Sequence, residues 1–332
     1  MTEKTKGGAW LVPVAGGKGG IGKSCFTSNL GQALASLGFR TVIVDLDLGN
    51  ANLHTLLCVP NIHPGVGDFL KAGRKSLSEL IVETPFDGLG FLPGDGRMPF
   101  MANLPHVLKI KLVTHLQLIE ADFVIFDLGA GSSFNTLDLF SASPHGIVLT
   151  TPELPAVMSL LVFLKNFMMR SIDRSFSPKS LQRKRLKELF ERPIEADQLT
   201  VDLIRNELGD IDSSAAEKVD RIVHHFRPRL VLSMTNSIQE LDLLGQVQKS
   251  LKKVLELDSY ALGMVPRDPS LLQAILDGKP YFPNFSTQPA GRAYSDLAER
   301  VAANHSISSV NGIEALESLR LMKERVRSKG LI

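Results

Sequence analysis

Cysteine is nearly absent: Cys25 and Cys58 are the only two in 332 residues, and neither belongs to a CxxC pair. That usage suits a reducing compartment and excludes a disulfide framework or a cysteine-ligated cluster built within one chain. A cluster shared between two subunits, with one cysteine from each, stays open. An excess of one charge is missing too. Lys and Arg number 37 against 35 Asp and Glu, a net charge of +2, which argues against a whole-surface grip on nucleic acid and leaves only local basic patches. No signal-like apolar stretch precedes Trp10. The most apolar run, 157–169, is broken by Lys165 and Asn166 and is too short and too polar to span a bilayer. The eight histidines show no metal-ligand spacing, and the His224-His225 pair reads as a helix surface. There is no internal repeat and no low-complexity tract. These absences point to a cytoplasmic globular protein.

What remains has the length for one large α/β domain or two modest ones. Short apolar runs at 10–15, 41–45, 89–93, 123–127 and 146–150 read as strands, and 24–37, 104–118 and 155–169 read as helices between them. The run 41–45 is almost uniformly apolar, as a strand covered on both faces requires. The alternation predicts a doubly wound, mostly parallel sheet flanked by helices. Ligands of such sheets bind beyond the carboxyl ends of the strands, where Gly16, Asp45 and Asp127 fall. The alternation pauses between about 170 and 228. It resumes with strands at 229–233 and 260–265 and helices at 238–255, 270–276 and 290–304.

The chemistry concentrates in one loop. A strand leads into Gly16-Gly17-Lys18-Gly19-Gly20-Ile21-Gly22-Lys23-Ser24, and Lys23-Ser24-Cys25 opens a helix. In a loop of this kind backbone N–H groups converge on a polyphosphate, Lys23 neutralises it, and the Ser24 hydroxyl can ligate Mg²⁺. One lysine suffices for that task. Lys18 is the surplus, and its glycine-rich setting is too short to fold it over its own nucleotide. A cation placed there can serve a second site facing the first, which predicts an ATPase that dimerises on ATP.

The loop resembles the deviant Walker A motif of the MinD/ParA family of P-loop ATPases. The resemblance extends to Val44-Asp45-Leu46-Asp47, to the run from Phe123 to Gly131 as a Walker B strand with switch II, and more weakly to Thr151-Pro152-Glu153 and Gly263-Met264-Val265-Pro266. It implies that Gly17 through Cys25 hold ATP and that Ser24, Asp45 and Asp127 surround Mg²⁺. Asp47, 24 residues after Lys23, would position the attacking water, and Lys18 would reach the partner's nucleotide in a homodimer. Asn236 stands near the strand whose following residues approach adenine in the family. An equally good reading makes it a helix cap. Cys25 itself reads as a small buried residue rather than a reactive one.

Residues 91–96, the Asp127–Gly131 run and Thr150-Thr151-Pro152-Glu153 look most like the flagellar-number regulator branch (FlhG/FleN). That resemblance implies control of flagellar number or placement through an activating partner. Against it, the DQAxxLR extension common in that branch is missing, because nine residues precede Trp10. The nearest alternative is a partitioning ATPase that binds DNA non-specifically. An iron–sulfur carrier on the same fold is disfavoured by the missing CxxC.

The expected division is an ATPase domain over 8–306, a helical insertion within it at about 170–228, and a tail at 307–332. Eight basic residues in 170–192 face eight acidic ones in 193–220, which predicts a charge-paired helical hairpin. The competing reading makes Arg183, Lys184, Arg185 and Lys187 a partner- or DNA-docking element. The closing segment, 312–329, sets Ile313, Leu316, Leu319, Met322 and Val326 on one face with basic residues towards its end. Such a helix either meets the inner face of the membrane or packs on the domain.

Overall fold

The computed structural model describes residues 8–72, 76–94, 104–191, 199–304 and 314–331. Its strands are β1 (Trp10–Gly16), β2 (Thr41–Leu46), β3 (Val82–Glu83), β4 (Leu89–Leu92), β5 (Phe123–Leu128), β6 (Ile147–Thr150), β7 (Arg229–Thr235) and β8 (Tyr260–Pro266). They form one sheet in the order β3-β4-β2-β5-β1-β6-β7-β8. Every pairing is parallel except the edge pair β3–β4. The expected strands are all present within a residue or two at either end. The two-residue β3 is too short to leave a periodic signal, and the sequence did not reveal it.

Along the chain, α1 (Lys23–Ser36) follows β1, α2 (Leu53–Leu56) and α3 (Val66–Ala72) follow β2, α4 (His106–Gln117) follows β4, and α5 (Phe134–Phe140) follows β5. The long α6 (Leu154–Ser175) leaves β6 and is succeeded by α7 (Leu181–Glu191), α8 (Val201–Gly209) and α9 (Ser213–His225) before β7. A 3₁₀ turn over Ile238–Leu241 and α10 (Asp242–Leu255) join β7 to β8, where a single helix was expected. Beyond β8 come α11 (Pro269–Leu276), α12 (Phe282–Phe285), α13 (Pro289–Asn304) and α14 (Glu314–Ser328).

Both faces of the sheet are covered, so β2 and β5 are buried along their whole length. On one face α1 and α13 pack Phe26, Leu30, Leu34, Tyr294 and Leu297 against Val14, Ile43 and Ile125. On the other, α5, α6 and α9 meet through edge-to-face rings: Phe140 with Phe163 and Phe167, and Phe167 with Phe226. Burying each such ring stabilises the layer by roughly 2–3 kcal/mol. By length and composition α6 could cross a membrane. Its Leu160, Phe163, Leu164, Phe167 and Met168 are instead the core of this layer.

The segment between β6 and β7 is charge-paired, but among its described bridges only Arg185–Glu207 joins the basic stretch 170–192 to the acidic stretch 193–220. Arg183 on α7 reaches back to Asp173 on α6 at 2.8 Å, Arg185 pairs with Glu207 on α8, and Arg205 pairs with Asp220 on α9 at 2.7 Å. In the described part of the tail, Met322 and Val326 are buried against the domain. Lys323 pairs with Asp242, while Arg325 and Lys329 pair with Asp296 and Glu299. Met322, Val326, Lys323, Arg325 and Lys329 are thus engaged with the domain, whereas Arg320 pairs, among the described residues, only with Glu324 of its own helix. The side chains of Ile313, Leu316 and Leu319 lie outside the described residues.

Candidate nucleotide site

The loop between β1 and α1 is shaped by what its glycines lack. Gly20 and Gly22 sit at φ 78° and 85°, in the left-handed region that costs a residue with a Cβ. Gly17 is pressed on α6, where a Cβ would stand 2.0 Å from the Ser159 carbonyl oxygen. Gly22 takes the N-cap position of α1 without a side-chain cap. The first N–H groups of α1, Lys23 to Cys25, have no partner inside the helix, and the helix dipole adds positive potential there. Such an end attracts an anion.

Lys23 is buried beneath this loop. Burial lowers its pKa, and the negative charges of Asp127 and Asp47 oppose that shift. Lys18 is its opposite: exposed at the crest of the loop and without an ion pair or hydrogen bond among the described residues. Cys25 turns its thiol towards Tyr294 and Asn29. Burial pushes that thiol up to about 12.

The three carboxylates meet at the carboxyl edge of the sheet. Register pairs Asp45 on β2 with Asp127 on β5, directly across from each other. Asp127 is buried and is lifted to about 6 by desolvation, although Ser24, Lys23 and Thr27 all favour its charged form. Thr27 donates its hydroxyl to Asp127 Oδ1 at 3.1 Å. The sequence reading missed Thr27; its place one helical turn after Ser24 is the signal that would have found it. Asp45 is buried with its pKa raised by desolvation and by Asp127. Its Oδ1 accepts the Asp47 N–H at 3.2 Å and its Oδ2 the Leu53 N–H at 3.1 Å. Asp45 therefore organises the turn that carries Asp47. Asp47 is half-buried, its pKa raised by desolvation and opposed by Lys23.

The loop after β5 closes the arrangement. Gly129 lies against Asp47, where a Cβ would stand 3.1 Å from Asp47 Oδ1. Gly131 N–H donates to the Gly16 carbonyl at 3.1 Å, tying this loop to the glycine loop. Ser133 then caps α5 by accepting the Thr136 N–H. From the other side, the end of β7 leans over Gly22. A Cβ on Gly22 would meet Met234 Cε at 3.4 Å and Ser233 Oγ at 3.5 Å. Met234 holds φ 56° beside a register shift between β7 and β8, a strain that positions this edge. Asn236 follows it with an exposed side chain. Its backbone N–H donates to Glu240 Oε2 at 2.9 Å, and Ser237 occupies the cap position that Asn236 was expected to contest.

The donor set fits a magnesium-bound polyphosphate. Asp127 and Asp47 face the buried Lys23, and burial lifts the Asp127 carboxyl to about 6 against the pull of Ser24, Lys23 and Thr27. Among the described residues no group of three Asp, Glu, His or Cys side chains forms a ready-made metal cage. Mg²⁺ takes one or two protein oxygens and completes its shell with water and phosphate, and Ser24 and Asp127, in contact with each other, could supply them. An uncapped helix start and a glycine cradle supply the phosphate side.

The chain is similar to several known proteins. Septum site-determining protein MinD of Bacillus subtilis is 32% identical over 216 residues, 64% of this chain and 71% of that protein. Flagellum site-determining protein YlxH of Helicobacter pylori is 29% identical over 162 residues, 48% of this chain and about half (54%) of its own length. Among solved structures, MinD of Pyrococcus horikoshii with Mg-ADP superposes at a TM-score of 0.56 and 19% identity, covering 91% of this chain and 100% of that one. The MinC:MinD complex of Aquifex aeolicus gives 0.58 at 18% identity, over 91% and 98%. Those two likenesses speak to the fold. Residues 12–281 match the CobQ/CobB/MinD/ParA nucleotide binding domain. The chain belongs to that family.

Proposed function

We propose that this protein is a MinD/ParA-type switch that binds ATP with Mg²⁺, pairs with a second copy of itself, and separates on hydrolysis. The observation that carries the reading is the contrast between its two loop lysines. Lys23 is buried against Asp127 and Asp47, whereas Lys18 is exposed and unpaired among the described residues. A cation left free at the crest of a phosphate loop stabilises charge that develops in a facing site. Beside that loop, Leu154, Met158 and Val162 line one exposed stripe of α6, an apolar surface suited to a second copy.

In this reading the N–H groups of residues 17 to 25 and the Lys23 ammonium hold the phosphates. Ser24 and Asp127 hold Mg²⁺, directly or through its water, with Thr27 fixing the Asp127 carboxylate. The metal supplies charge neutralisation at the transferring phosphate. Asp47 orients the attacking water, and Asp45 acts through the turn that places Asp47. Asn236 lies at the edge where the base would sit. The ATPase domain spans 8–306 and carries the 170–228 insertion.

For cargo we propose the placement or number of flagella. The H. pylori relative is named for site determination of the flagellum, and 91–96 carries the branch's residues. The DNA-binding alternative is weakened because Arg183 and Arg185 are already committed to Asp173 and Glu207. The tail is assigned to the domain rather than to lipid, because Met322 and Val326 are covered. The test is sedimentation with ATP and without it, alongside phosphate release. Lys18→Ala should stay monomeric or lose roughly a hundredfold in turnover while still binding nucleotide. A Lys18→Ala protein that dimerises and hydrolyses as the parent does would overturn the two-site account.

A further inference from the structure

Among the described residues, two cavities lie away from the glycine loop, and both are lined by Arg170. The larger, about 910 Å³, runs between α5, α6 and α7. The smaller, about 520 Å³, runs between α5, α6 and α9. Leu137 and Arg170 line both, so together they make one trough along α6, walled by the helical segment between β6 and β7.

The trough has an apolar floor and a basic rim. Phe134, Leu137, Met169 and Phe190 form the floor of the larger cavity, and Phe134 is 68% exposed. Lys179, Lys184 and Lys187 stand on its rim. Lys179 and Lys184 are exposed and have no ion pair among the described residues, and Lys187 has only a solvent-exposed contact to Glu191 at 3.7 Å. The one acidic residue of that lining, Asp173, is neutralised by Arg183. The smaller cavity adds Arg174, Lys218 and Arg221. Its one carboxylate, Asp138, is neutralised by Lys109, Arg170 and Arg174.

We infer that this trough is a docking site for an acidic amphipathic segment of a partner protein, one that sets Leu or Phe anchors between Asp and Glu residues. Charge complementarity selects the sign, and the concave apolar floor selects a peptide with side-chain anchors over a phosphate backbone. Single-stranded nucleic acid also favours cations beside aromatics, but it needs open ring faces for stacking. One face of Phe134 is taken by the Arg170 guanidinium, 4.0 Å from the ring centroid.

The trough touches the nucleotide site through α5. Phe134 is three residues beyond Gly131, whose N–H is tied to Gly16, and Asp138 anchors the other end of α5 to α4 and α6. A ligand packed on Phe134 therefore bears on the loop whose Gly129 lies against Asp47. This coupling rests on the proposed ATPase reading; the docking itself does not.

The test is selection of a phage-displayed random peptide library on the full-length protein, with recovered peptides measured by fluorescence anisotropy in the absence of nucleotide. Recovered sequences should be rich in Asp and Glu around Leu or Phe. Their affinity should fall roughly tenfold in a Lys184→Glu/Lys187→Glu variant and in Phe190→Ser, with basal phosphate release unchanged. It should be unaltered in Arg320→Glu, a charge reversal on α14 at a residue that lines neither cavity. No enrichment, equal binding to the Lys184→Glu/Lys187→Glu variant, or tighter binding of a single-stranded oligonucleotide would each overturn the inference. Because binding is scored without nucleotide, a failed ATPase reading would leave this result standing, and the converse holds.

Discussion

Asp127 is nearly inaccessible at the end of β5, and desolvation lifts its carboxyl from the ordinary 3.8 to about 6 against the pull of Ser24, Lys23 and Thr27. Ionising it costs the folded chain about 3 kcal/mol relative to the unfolded one. The sign is opposite to that of ordinary acid denaturation. Between about pH 4 and pH 6 the folded state keeps a proton that the unfolded state has released. This group's contribution therefore falls as pH rises through that window and stays low above it. Asp127→Asn keeps the shape and an acceptor for Thr27 while removing the charge. Part of the gain is returned, because buried Lys23 loses its strongest anion and retains Asp47 alone. The expected net is a gain of about 1–2 kcal/mol at pH 7 in nucleotide-free protein, with a flatter stability profile between about pH 4 and pH 7. Magnesium-dependent nucleotide binding should be lost in the same variant. Urea unfolding followed by circular dichroism across that range measures both slopes. A variant less stable than the parent at pH 7, or one with an unchanged pH slope, would refute the reasoning.

Asp138 gives the opposite sign. Burial works to raise its carboxyl, and hydrogen bonds from Arg170, Lys109 and Arg174 overcome it and hold it at about 2. That stabilisation is present above the ordinary 3.8 and disappears as pH falls towards about 2. Asp138→Asn should lose about 3–5 kcal/mol at pH 7 by stranding buried cations, and denaturation that shifts by less than about 1 kcal/mol would contradict it. Gly17→Ala drives a Cβ into the backbone of Ser159 and should cost about 1–3 kcal/mol and most nucleotide affinity. Thermal melting with and without ATP reads both effects, and a parent-like response would show that the close approach is dispensable. Cys25, its thiol held at about 12, should resist alkylation at pH 8 until the chain unfolds; labelling at the rate of a free thiol would show otherwise.

The sequence by itself determined the sheet and the loop. Uniformly apolar runs such as 41–45 and 123–127 can be satisfied only between two helical layers, and glycines at 17, 20 and 22 leave room for a phosphate. These signals are local, carried by residue type and spacing, so they could be read along one dimension. Tertiary structure decided everything that depends on what faces what. Thr27 serves Asp127 because α1 lies across the end of β5. Asp45 spends both oxygens on the Asp47 turn because Leu53 returns to it. The tail's described face meets the domain because Asp242 and Asp296 await its cations. The basic helix of the insertion is similarly divided: Arg183 and Arg185 are paired, while Lys184 is left on a rim. A charge count cannot separate the spent cation from the free one, since pairing is set by side chains far apart in the chain.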